Sequence, residues 1–232
     1  MKKTDFLYIK IMNSKKCPKK LNFPLDSIVC GNCVVELNKF DKDCIDFCLT
    51  SPPYDNIRSS KDYDISSFDY KLVGKQIFRV LKDGGVLVWV VNDQTIDGSE
   101  SLTSMKQAIY FVEEIGFKLW DTMIYSKNSF SFPSKMRYHQ IWEYMFVFSK
   151  GKPKTFNPIK DRDNKYLGRR GASGRKKDGS RKKGFSFVSD KKGMRFNIWK
   201  YKIGKNNTTK DKIAYEHPAI FPEQLAIDQI SS

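Results

Sequence analysis

The sequence predicts an α/β fold on a largely parallel sheet, and three observations carry that prediction. Strand-like and helix-like patterns alternate from Asp26 to Phe148. The strand segments Ile45–Leu49 and Gly85–Val91 are apolar runs rather than alternating ones, which marks strands covered on both faces. The intervening stretches repeat their apolar residues at helical spacing, the arrangement that lays helices over a parallel sheet.

Taken in order, residues 1–25 form a lysine-rich arm with little periodicity. Ser27-Ile28-Val29-Cys30 reads as a short strand ending at Gly31, and Val34 to Phe40 has helical spacing. Ile45-Asp46-Phe47-Cys48-Leu49 reads as a buried strand. It stops at Ser51, because Pro52 and Pro53 cannot donate to a ladder. Leu72, Val73, Ile77, Phe78, Val80 and Leu81 fit a helix over Phe68–Leu81 that ends before Asp83-Gly84-Gly85. The central strand Gly85–Val91 is terminated by Asn92-Asp93. Ser101–Ile115 is a second amphipathic helix closed by Gly116. Strands Lys118–Tyr125 and Ile141–Phe148 follow, with a polar, Phe-containing loop between them.

Residues 160–193 differ sharply. They hold thirteen Lys/Arg against four Asp and six glycines, a composition that cannot bury a core of its own. A solvated loop is one reading of such a segment. Interleaved Tyr166, Phe185 and Phe187 supply stacking groups that a spacer does not need, which favours an insertion that contacts DNA. Order returns at Arg195–Tyr201, and His217-Pro218-Ala219-Ile220-Phe221-Pro222-Glu223 leads into a short helix reaching Ser232. The expected organisation is a basic arm at 1–25, a catalytic α/β domain at 26–155, a basic insertion at 156–195 and a return to the catalytic domain at 196–232.

Bulk properties narrow the function. The 232 residues carry a formal charge of +16, which points to a polyanionic partner, nucleic acid first. No stretch approaches the ~20 apolar residues of a membrane helix and the N-terminus is not built like a signal peptide, so a cytoplasmic chain that engages no membrane is expected. Cys17, Cys30, Cys33, Cys44 and Cys48 crowd into the first fifth, which argues against a secreted disulfide framework. Cys30-Gly-Asn-Cys33 is a CxxC that, with Cys44 and Cys48, admits a zinc reading. Only half of a ribbon's paired spacing is present, and no metal site is expected.

The chemistry concentrates at Thr50-Ser51-Pro52-Pro53-Tyr54, directly after a buried strand, where open α/β sheets bind their ligands. The two prolines stiffen the loop and remove donors, leaving carbonyl oxygens and the Ser51 hydroxyl as acceptors beside an aromatic ring. Such a surface suits an amino group on a flat ring. Asp93 and His139 read better as a helix cap and a packing histidine than as catalytic groups. His217 reads as fixing a turn, and Trp89, Trp120, Trp142 and Trp199 as core or rim residues.

Ser51-Pro52-Pro53-Tyr54 resembles the catalytic motif of the N4-cytosine and N6-adenine DNA amino-methyltransferases. The setting is similar too: Gly31-Asn32-Cys33 upstream, Val80-Leu81-Lys82-Asp83-Gly84-Gly85, Tyr125-Ser126-Lys127-Asn128 and Tyr144-Met145-Phe146-Val147-Phe148-Ser149-Lys150 downstream, then Asn197-Ile198-Trp199 and His217–Glu223. The order matches members whose catalytic motif precedes the cofactor motif, over residues 28–230. The resemblance implies a Rossmann-like, base-flipping enzyme that uses S-adenosylmethionine on double-stranded DNA. It implies that Ser51, Pro52, Pro53 and Tyr54 hold the flipped base, and that Gly31, Asn32, Pro218 and Phe221 lie near the cofactor. The basic insertion occupies the place of the target-recognition region, with Arg162, Lys165, Arg169, Arg170, Arg175, Lys176, Lys177, Arg181, Lys182 and Lys183 set against phosphates. The serine leans slightly toward cytosine N4 over adenine N6.

Two departures accompany the match. Gly31-Asn32 stands where the family usually has Gly-Asp, and an Asp-Pro-Phe-x-Gly-x-Gly cofactor loop occurs nowhere in the 232 residues. The expectation is therefore a methyltransferase sheet incomplete at its C-terminal side, with an open edge or gap beside the Ile45–Leu49 strand. A truncated or split enzyme follows, which transfers methyl groups poorly unless a second polypeptide or a second copy supplies the missing part. A DNA-binding chain without catalysis is the alternative.

Overall fold

The computed structural model describes residues 29, 31–53, 68–130, 133, 135–204, 207–216 and 220–232. The 1–25 arm and the strand expected at Ser27–Cys30, apart from Val29, lie outside the described residues.

The first described helix, α1 (Cys33–Asn38), starts at Asn32, whose Oδ1 accepts the backbone N–H groups of Val34 and Val35 at 3.1 and 3.2 Å. Strand β1 (Ile45–Thr50) follows. Helix α2 (Tyr70–Val80) is capped in the same way by Asp69, and β2 (Leu81–Val91) begins at the next residue. The Asp83-Gly84-Gly85 predicted as a helix stop thus lies inside a strand. The register against β1 jumps from Ile45↔Leu81 to Phe47↔Val86, and a Cβ on Gly85 would come within 2.8 Å of the Lys82 carbonyl. Glycine lets the strand absorb that irregularity.

A small hairpin, β3 (Thr95–Ile96) and β4 (Ser99–Glu100), turns on Asp97-Gly98 with φ of +48° and +81°. Asp-Gly between paired strands is a strong two-residue turn signal that the longer apolar patterns around it overshadow. Helix α3 (Thr103–Tyr110) runs into a π-helical turn, Phe111–Ile115, which Gly116 ends at φ +95°. Strands β5 (Lys118–Lys127) and β6 (Trp142–Ser149) pair antiparallel.

Residues 157–196 form a separate compact unit. There β7 (Arg162–Asp163) pairs with β10 (Lys192–Gly193), and β8 (Gly168–Ala172) pairs with β9 (Phe185–Ser189), both antiparallel. None of the unit's described side chains joins the buried apolar core. The chain then rejoins the first unit with β11 (Ile198–Tyr201) and α4 (Glu223–Ser231).

The main sheet has the order β1-β2-β6-β5-β11. β1, β2, β5 and β11 run the same way and β6 runs against them, so two of the four pairings are antiparallel. The expectation of a largely parallel sheet holds for strand direction but not for pairing. A parallel neighbour needs a crossover, usually helical, and residues 128–141 contain no described helix, so β6 folds back beside β5.

Leu87, Trp89, Val91, Phe146 and Phe148 present one face of the sheet to α1, α2 and α3. Phe111, fully buried, meets Trp89 and Phe148 edge-on with ring centroids 5.0 and 5.3 Å apart. The indole N–H of Trp89 donates to Gln107 Oε1 at 2.7 Å, so this buried donor is satisfied. The opposite face carries Met123 and Met145, against which Gln229 of α4 is packed, while Leu225 of the same helix is fully buried. Val88 and Val90 are buried as completely as Leu87 and Trp89, in keeping with a central strand covered on both faces. No helix among the described residues is long and apolar enough to cross a membrane.

Candidate functional site

Because four strands run together, their carboxyl ends share one rim of the sheet, where Ser51 leaves β1, Asn92 leaves β2, Lys127 ends β5 and Tyr201 ends β11. The reversed strand brings its beginning, Trp142, to the same rim, since β2 Val91 lies opposite Tyr144.

Ser51 is exposed, Pro52 is buried and Pro53 is half-buried. The buried proline anchors the loop while the serine faces outward. Tyr54 lies outside the described residues. The neighbouring β2 terminus is tied down by Asn92, only 8% exposed. Its Nδ2 donates to the Trp142 carbonyl at 3.2 Å, and its Oδ1 accepts Gln140 Nε2 at 3.0 Å and the Asp93 N–H at 2.9 Å. Asp93 accepts the Ser104 N–H and hydroxyl and the Ser101 hydroxyl, so its carboxylate serves the first turn of α3.

Beside these, Tyr144 stacks on Phe146 (5.0 Å, 9°) and meets Trp142 edge-on at 4.8 Å. Burial raises its phenol above the ordinary range, with Asp93 and Glu100 adding to the effect. Glu143 is buried and ion-pairs with Lys127, whose ammonium lies 5.5 Å from the Tyr125 ring centre. Burial, and secondarily Glu143, holds the Tyr125 phenol well above its usual range. Residue pattern alone does not mark Asn92, Lys127, Glu143 and Tyr144 as site residues. Each sits in an otherwise apolar strand or at its end, and only the sheet order shows that they share a rim.

Of the residues expected near a cofactor, Asn32 spends its carbonyl oxygen on capping α1. The space over Gly31 is filled by its own helix, since a Cβ there would lie 2.8 Å from Glu36 Cγ. Phe221 is half-buried just ahead of α4. Pro218 and His217 lie outside the described residues. His139 packs on Phe130 with ring centroids 3.9 Å apart.

Cys33, Cys44 and Cys48 are buried, and burial, with Cys33 nearby, pushes the Cys48 thiol up to about 12. Among the described residues no group of three or more His, Cys, Asp or Glu is placed to hold a metal. Cys17 and Cys30 lie outside them.

In the second unit, Arg162 is held by the Met194 carbonyl at 3.0 Å and lies over the Phe196 ring at 4.5 Å. Lys165, Arg175, Lys176, Lys177, Arg181, Lys182 and Lys183 are exposed. For Arg169 and Arg170 only the backbone, in β8, is described.

Comparison with known proteins gives one consistent result. The profile of the DNA methylase family of N6/N4 type matches residues 45–232. The orphan methyltransferase M.BamHII of Bacillus amyloliquefaciens is 52% identical over 195 residues, spanning 82% of this chain and 72% of that protein. Among solved structures, the cytosine-N4-specific PvuII DNA methyltransferase superposes with a TM-score of 0.57 at 18% identity, over 87% of this chain and 67% of that one, a likeness of fold. The chain therefore belongs to the N6/N4 DNA methylase family, the DNA methyltransferases whose methyl donor is S-adenosylmethionine.

Proposed function

We propose that the chain methylates the exocyclic amino group of a base flipped out of double-stranded DNA, at a specific site, with Ser51-Pro52-Pro53-Tyr54 as the base-binding loop. The observation that carries this reading is the outward-facing Ser51 on a loop anchored by the buried Pro52, at the carboxyl end of β1. The Ser51 hydroxyl and the loop carbonyls accept the amine hydrogens and draw its lone pair back toward nitrogen. Tyr54 supplies a ring face to stack on. The donor supplies a methyl carbon on a sulfonium. The amine forms the new C–N bond as the C–S bond breaks, and the proton the nitrogen loses passes to water. Positioning and fixed dipoles account for most of the acceleration.

The described residues fit part of the donor: an amide N–H₂ at Asn32 and a half-buried aromatic face at Phe221. Gly31 and, by sequence, Pro218 belong to the same proposed region. Between the two possible targets, Ser51 favours cytosine N4. Digestion of treated duplex DNA to nucleosides, followed by mass spectrometry, tests the reading. N4-methylcytosine, or N6-methyladenine, supports it, and methylation confined to a ring carbon overturns it.

A second reading rests on β1. Four of its six residues are buried, yet β2 is its sole strand partner among the described residues. On that reading the chain binds DNA, and a further strand beside β1, on a second polypeptide or a second copy, completes the cofactor site. Calorimetric titration of S-adenosylmethionine into the purified chain separates the two. Micromolar binding supports the first, and no binding alongside salt-sensitive DNA binding supports the second.

A further inference from the structure

Residues 135–140, which lead into β6, invert the usual rule of burial. Met136 is 92% exposed and Tyr138 102%, as open to solvent as in an extended chain. The arginine between them turns back onto the protein, where its guanidinium donates to the Gly98 carbonyl at the β3–β4 turn. Among the described aromatic side chains the next most exposed, Phe196, stands at 66%. A large ring held wholly in water forgoes the burial that such a side chain ordinarily finds.

The neighbours of Tyr138 hold it there. Arg137, before it, is fixed to the hairpin. His139, after it, stacks on Phe130 with ring centroids 3.9 Å apart, and Gln140 donates to Asn92 Oδ1 at 3.0 Å. The Lys127 N–H donates to the Ile141 carbonyl at 2.6 Å and closes the loop at its base. With the residues on both sides tied down, the Tyr138 ring is presented outward on a held tip.

The same contacts place that tip. Gln140 is bonded to Asn92, which leaves β2 on the rim where Ser51 leaves β1, and these paired strands lie about 4.8 Å apart. Tyr138 is two residues from Gln140, within ~7 Å of chain. The ring therefore stands beside the proposed base-binding loop. A base rotated out of a duplex leaves a gap in the stack, and unstacking stays costly until something flat fills that gap. We propose, on the reading that the chain flips its target base, that Tyr138 enters the stack and occupies the gap while the base sits at the Ser51 loop. Every base has a π-face, so the ring stacks on whichever bases flank the gap and carries no sequence preference of its own.

The test uses the full chain and two fluorescent duplexes of one sequence, intact or with a single tetrahydrofuran abasic residue at the centre, and reads affinity by anisotropy. A gap already open spares the chain the unstacking and leaves only its filling, so the wild type should bind the abasic duplex about 10-fold or more tightly than the intact one. Tyr138→Ala should lose that preference while its affinity for the intact duplex changes less than about twofold, and Tyr138→Phe, which keeps the ring, should retain it. In an abasic duplex carrying 2-aminopurine beside the gap, the wild type and Tyr138→Phe should quench the fluorescence by stacking and Tyr138→Ala should not. A preference that is absent in the wild type, that survives in Tyr138→Ala, or that Tyr138→Phe fails to keep overturns the proposal. Methyl transfer is read separately. A chain that transfers no methyl group but loses its abasic preference in Tyr138→Ala would disprove the proposed function and leave the assignment of Tyr138 standing, and one that methylates with a preference indifferent to Tyr138 would do the reverse.

Discussion

The carboxylate of Asp93 accepts the backbone N–H of Ser104 at 2.8 Å across eleven residues, which pins the end of β2 to the first turn of α3. Leu102, at the cap position itself, makes no side-chain bond to the helix, so Asp93 performs the capping from outside the helix. Asp93→Ala should cost about 1–2 kcal/mol of stability in urea denaturation, with Asp93→Asn recovering part of it. If Asp93 were instead a catalytic base, the Asn variant would abolish methyl transfer while keeping its stability.

Gly74 reverses the usual rule for glycine in a helix. Alanine ordinarily stabilises such a position by about 1 kcal/mol. Here a Cβ would lie 2.6 Å from Phe111 Cε1 and 2.9 Å from Ile115 Cδ1, in the wall of the core. Gly74→Ala should therefore destabilise the fold by about 1–3 kcal/mol, seen as a lower urea midpoint at unchanged m-value. A stabilised variant would mean that α2 and the π-turn are not packed as described.

Alkaline pH should weaken the fold. Cys48, at about 12 against 9.0 for a free thiol, and Tyr125 and Tyr144, both raised, keep their protons in the folded chain where the unfolded chain has begun to lose them. The folded state then holds more protons, so stability falls as pH rises from about 9 toward 12. Denaturation midpoints at pH 8, 9.5 and 10.5 should decline in that order. At pH 8, iodoacetamide should label Cys48 at the rate of global opening, and prompt labelling would contradict its burial.

On the proposed reading, replacing the exposed Ser51 hydroxyl removes one acceptor at the amine and little else. Ser51→Ala should lower the methyl-transfer rate at saturating DNA by about 10- to 100-fold, with duplex affinity changed less than about threefold. Equal losses in both would assign Ser51 to DNA binding rather than to the reacting amine.

Much of this was legible in the residue order because the governing forces are local. The apolar run Ile45–Leu49 and its double-proline stop define β1 and the loop after it, since burial on both faces and the loss of two backbone donors act wherever that strand packs. The same holds for the helix stop at Gly116, and for the concentration of charge in residues 160–193. What tertiary structure alone decided is adjacency. The insertion of β6 against its neighbours, the gathering of Asn92, Glu143, Lys127 and Tyr144 at the rim, and the use of Asp93 by α3 join residues far apart in sequence. The lysines divide in the same way: composition counts them equally, but the fold pairs Lys127 with Glu143 and Lys150 with Asp43, while Lys176, Lys177, Lys182 and Lys183 have no ion pair among the described residues. Pattern reports the environment a residue needs, whereas the groups that meet it depend on strand order and helix placement, which are set by the packing of the whole core.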